Sequence, residues 1–80
     1  MARVVEPIIL EHARKHGVAD EDISHALRFS LVVHLEDDVE MRIGPGRTGN
    51  LLEVGVRWRQ GQMTVFHAME ARPKNLPRTP

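Results

Sequence analysis

The sequence predicts an α+β fold in which two amino-terminal helices pack on one face of a four-stranded antiparallel meander. Apolar residues recur at helical spacing as far as about residue 29, and from Leu31 onward they give way to β-branched, alternating stretches. Turn-forming clusters then punctuate the alternating part, which is the pattern of strands joined by short hairpins with helices layered against them.

Each element follows from local chemistry. Pro7 has the fixed φ that suits a first helical turn, Ile8, Ile9, His12, Ala13 and His16 follow at helical spacing, and Gly17 supplies a stop, so a first helix is expected over about Pro7–His16. Asp20 is a good N-cap for a second. Glu21 and Asp22 sit at the positive end of that helix, and Ile23, Ala26 and Leu27 make its apolar stripe, which runs to about Phe29. Leu31-Val32-Val33-His34-Leu35 reads as the first strand, closed by the acidic turn Glu36-Asp37-Asp38. Val39, Met41 and Ile43 alternate with Glu40 and Arg42 in the second, which the glycine-rich Gly44–Gly49 loop ends. In the third, Leu52, Val54, Val56 and Trp58 face one way and Glu53, Arg57 and Arg59 the other. Gln60-Gly61 turns the chain into a fourth strand, Met63–Met69. Phe29 and Phe66 are expected in the core.

Eighty residues, 41% hydrophobic and 28% charged, form one domain over 1–80, with an arm over 1–6 and a proline-rich tail over 73–80. The absence of cysteine removes disulfides and thiolate metal sites and suits a reducing cytosol. The amino-terminal apolar run is broken by Glu6 and Pro7 and is too short for a signal peptide or a membrane span, so a cytoplasmic protein without membrane contact is expected. Zero net charge conceals an asymmetry: residues 1–40 carry four Lys/Arg against nine Asp/Glu, and residues 41–80 carry seven against two. A basic half of this kind meets the minimum electrostatic requirement for nucleic acid, unless the acidic half neutralises it within the fold.

Several motifs lack the context their chemistry needs. Gly44–Gly49 matches G-x-G-x-x-G but is flanked by strands, not by a strand and a helix; Arg47 at its tip remains a candidate phosphate contact. His12 and His16 are four apart with no third ligand, and the Glu36–Glu40 acidic run lacks calcium-loop spacing, so neither a metal nor a cofactor is expected. The stronger set is Arg57, Arg59, His67, Arg72 and Lys74. These lie on two adjacent strands and the segment beyond, where cations could stabilise charge developing on a phosphate and His67 could move a proton.

Five short strings add a family likeness: Lys15-His16-Gly17-Val18, then Asp20-Glu21-Asp22, Ile43-Gly44, Gly49-Asn50-Leu51-Leu52-Glu53-Val54 and Ala71-Arg72-Pro73-Lys74. In this order and spacing, over most of residues 8–74, the chain resembles the BrnT-like toxins of the RelE/ParE-like superfamily. The resemblance implies a RelE-like fold and the toxin of a type II toxin–antitoxin pair, a metal-independent ribonuclease that cuts RNA and inhibits translation. A ribbon-helix-helix antitoxin is the implied partner, with RNA, free or on the ribosome, as the target. Lys15, His16 and Arg72 match the family strings; His67 as acid or base is a reading of this sequence alone. The expected site is therefore His67 and Arg72 for chemistry, with Lys15, Arg47, Arg57, Arg59 and Lys74 on phosphates. The alternative reading is a non-catalytic interaction domain on the same scaffold, a homodimer or the subunit of a complex.

Overall fold

The structure is a computed structural model and describes residues 6–76. Most of the expected arm over 1–6 and the end of the tail, 77–80, lie outside the described residues. The elements in chain order are strand β1 (Ile8–Ile9), a 3₁₀ turn (Glu11–Arg14), helix α1 (Asp20–Arg28), strands β2 (Val32–Glu36), β3 (Val39–Pro45), β4 (Leu51–Arg59) and β5 (Gln62–Glu70), and a second 3₁₀ turn (Pro73–Asn75).

The expectation of two helices over a four-stranded antiparallel meander is overturned. There is one α-helix, and the sheet has five strands in the order β1-β5-β4-β3-β2, mixed because β1 runs parallel to β5. The cause lies in residues 7–16. Ile8 and Ile9 are β-branched and favour a pleated surface over a helix. Here they pair with Thr64 and Val65, and Leu10 N–H donates to the Val65 carbonyl at 3.0 Å. Covering the β5 edge satisfies backbone groups and buries apolar surface. A ten-residue helix would have gained little, since isolated helices shorter than about 12–15 residues are marginal. Only Glu11–Arg14 coils, and Gly17 at φ 77° ends the segment.

Helix α1 starts one residue earlier in role than expected. Asp20 is its first helical residue, not its cap, and its carboxylate receives Arg14 Nε at 2.9 Å and Nη2 at 2.8 Å. Ile23 and Ala26 bury the helix against the sheet, meeting Ala13, Leu52, Val54, Val56, Val65 and Ala68. Gly44 makes the closest approach: a Cβ there would collide with the Ala26 carbonyl, so β3 comes against α1 backbone to backbone. The Gln60-Gly61 turn has both residues at positive φ, 51° and 77°, as a tight hairpin requires.

A β-bulge decides what each face of the sheet carries. Gly55 pairs with His67, but the next residue, Val56, pairs with Val65, leaving Phe66 as the extra residue. Val65 and Ala68 therefore both face α1, while Phe66 and His67 lie on the opposite face. Phe66 is not core. Its ring lies over Gly55 on that opposite face, where any Cβ would strike it, and Phe29 is half exposed beside α1. Trp58 is likewise 40% exposed near the end of the β4–β5 hairpin.

Candidate active site

The face away from α1 is organised around Glu53. Alternation along β4 places it opposite Leu52 and Val54, as the sequence pattern predicts, yet it is fully buried. The carboxyl-terminal segment folds back over it. Arg72 donates from its backbone N–H at 2.9 Å, from Nε at 3.1 Å and 3.2 Å, and from Nη2 at 2.7 Å, while Asn75 Nδ2 donates at 2.8 Å. His67, next to Gly55 across the ladder, completes the set with Nε2 at 2.9 Å from Oε2. Burial pushes the Glu53 carboxyl up, but the donors from Arg72, Asn75 and His67 outweigh it and hold the acid well below the ordinary carboxylate range. A buried charge is tolerated only when paired and fully hydrogen-bonded, and Glu53 meets both conditions.

The pairing fixes the imidazole. An ionised carboxylate only accepts, so the His67 Nε2 carries the hydrogen, and the neutral ring keeps its lone pair on Nδ1. This is the carboxylate–imidazole arrangement by which a histidine is held in the tautomer suited to accept a proton. His67 retains 22% side-chain exposure. His16, exposed beyond the first 3₁₀ turn, brings its ring to 6.1 Å from that of His67, at 74° to it.

The cationic candidates divide. Arg57 and Arg59 lie on the same face as Glu53 and His67, further along β4. The Arg57 guanidinium stands 5.1 Å over the Phe66 ring, with Nε 3.7 Å from Asp38. Arg59, Lys15 and Lys74 are exposed and form no ion pair among the described residues; Lys15 adjoins His16, and Lys74 lies in the turn that covers Glu53. Arg47 is elsewhere. It is tied to Asp22 near the start of α1, by Nε and by its backbone N–H, both at 2.9 Å, an attachment that draws the Asp22 carboxyl down. The acidic half of the chain thus neutralises part of the basic half, through Arg47–Asp22, Arg57–Asp38 and Arg42–Glu40.

Sequence reasoning placed Glu53 on an outward polar face and left His16 without a role. The signal for Glu53 was its position opposite a buried valine row with Arg72 and Asn75 downstream. For His16 there was only the family string around it. No family model matches this chain, and no significant match to it occurs among curated proteins or solved structures. None of the described helices is long and apolar enough to cross a membrane.

Proposed function

We propose that the chain is an RNA-cleaving ribonuclease that uses the substrate's own 2′-hydroxyl as nucleophile. The observation that carries this reading is the bond between His67 and the buried Glu53, which leaves Nδ1 as an oriented proton acceptor on a face that also bears Arg57, Arg59 and Arg72. The 2′-oxygen attacks phosphorus and its proton passes to His67. Arg72 holds the carboxylate with Nε and Nη2, which leaves Nη1 for a phosphate oxygen, and Arg59, Lys15 and Lys74 track the backbone of the strand. The likeness of the Lys15-His16-Gly17 and Ala71-Arg72 strings to BrnT-like toxins gives the activity its setting. In that setting the ribonuclease is a toxin that inhibits translation until a ribbon-helix-helix antitoxin covers it.

Purified protein incubated with a short RNA is expected to yield 2′,3′-cyclic phosphate and 5′-hydroxyl ends, and none from the 2′-deoxy analogue. His67→Ala should lower the rate about 100- to 10,000-fold, the range of general acid–base catalysis. Undiminished cleavage by that variant, or intact RNA with the wild-type chain, overturns the reading.

A second reading, an interaction domain, has its own observation. Strand β2 is a sheet edge, and Leu31, Val33 and Leu35 at 69%, 45% and 75% exposure form an apolar row on the side of the sheet that carries α1. An antiparallel pair of β2 strands centred on Val33 would set Leu31 of each copy against Leu35 of the other, so a homodimer is the occupant this row suits. Sedimentation at increasing concentration tests it: a dimer supports the pairing, and a monomer throughout removes it.

A further inference from the structure

We propose that His16 is the general acid of the same site, donating a proton to the leaving 5′-oxygen while His67 takes the one from the 2′-hydroxyl. The proposal rests on the ribonuclease reading above and assigns the second of its two proton transfers. Three observations bring His16 there. The parallel pairing of β1 with β5 carries the first 3₁₀ turn alongside β5, so residues 51 apart in sequence come together. The two rings stand 6.1 Å apart at a steep angle. A ring nitrogen reaches an oxygen at about 2.8 Å, so two rings this close can both reach oxygens of one phosphate group that lies across their edges.

The roles are assigned by what each ring touches. His67 gives Nε2–H to Glu53, and the charge of that carboxylate is already balanced by Arg72, so the bond orients the ring and leaves Nδ1 to accept. His16 is exposed, makes no hydrogen bond among the described residues, and exchanges protons directly with water. In its imidazolium form it has a proton to give. As the P–O5′ bond breaks, its electron pair stays on the 5′-oxygen, which takes the proton from His16. The O2′–P bond has formed, and the proton it released rests on His67. The products are a 2′,3′-cyclic phosphate and a 5′-hydroxyl, and exchange of both rings with water restores the starting state.

A general acid is dispensable when the leaving group needs no proton, so the test uses two substrates: ordinary RNA, and the same RNA with sulfur replacing the bridging 5′-oxygen. His16→Ala is expected to cut the ordinary substrate about 100-fold or more slowly than wild type, and the thio substrate at close to the wild-type rate. His67→Ala should remain impaired on both. His16→Asn, which preserves a polar side chain at this exposed position, should match His16→Ala. If either His16 variant cuts ordinary RNA at the wild-type rate, or is slowed equally on both substrates, His16 is not the acid even though the ribonuclease stands. If the wild-type chain cuts neither RNA, the ribonuclease reading fails and His16 loses its role with it.

Discussion

Against α1 the sheet turns Leu52, Val54, Val56, Val65 and Ala68, a surface closed by apolar contact alone; one residue out of phase on the same strand, Glu53 is closed by hydrogen bonds from His67, Arg72 and Asn75. The first face is graded. Each lost methyl group costs its own burial and a share of cavity, and its neighbours partly relax. The second is conditional, because a carboxylate at zero exposure needs its donors together, and removing its cation strands a buried charge. Stability and the proposed chemistry are therefore separable on the first face and bound together on the second.

The largest expected effect comes from Arg72→Ala, which should cost about 3–5 kcal/mol by leaving the fully buried Glu53 carboxylate without its cation. Val54→Ala, beside Glu53 in sequence but on the apolar face, should cost about 2 kcal/mol, at the low end for core truncations. Urea unfolding of both variants measures the difference, and equal losses would erase the contrast between the faces.

Acid should act on the polar face first. The pKa of Glu53 in the folded chain lies below that in the unfolded chain, so its contribution is complete above the unfolded carboxylate range, about pH 4–5, and is lost as pH falls toward the folded value. Asp20 and Asp22, lowered by Arg14 and Arg47, act with the same sign but are partly exposed and contribute less. Unfolding midpoints should therefore drop with acidification in the wild type and drop less in Glu53→Gln. A parallel slope in the two proteins would place the acid sensitivity outside Glu53.

The smallest effect on stability is expected from Leu35→Lys on the β2 edge, within about 0.5 kcal/mol because the side chain is already in solvent. Its readout is association: loss of a sedimentation dimer without loss of folding would separate an edge that pairs from the hydrogen-bonded face around Glu53. An unchanged dimer would place the contact off β2.

Much of the sheet was legible because its strands alternate, and the hairpin at Gln60-Gly61 and the helix over Ile23 and Ala26 followed from turn and stripe chemistry. Residues 7–16 were not, since a short apolar run reads equally as helix or strand until one knows whether a sheet edge needs covering. The site was legible as a set of residue types and obscure as a geometry. Alternation treats Glu53 as solvent-facing, and only the return of the chain 19–22 residues later buries it. The bulge at Phe66 breaks the period of two that would have put Val65 and His67 on one side. His16 meets His67 through a parallel pairing that no local pattern announces.

The return of Arg72 and Asn75 across Glu53 also ties the turn after β5 to the middle of the sheet. With that turn lifted away, the strands behind it hold a carboxylate whose donors among the described side chains shrink to His67 alone. Opening of the turn and loss of the charge balance at Glu53 are therefore a single event, and the turn closes only as tightly as the carboxylate is ionised.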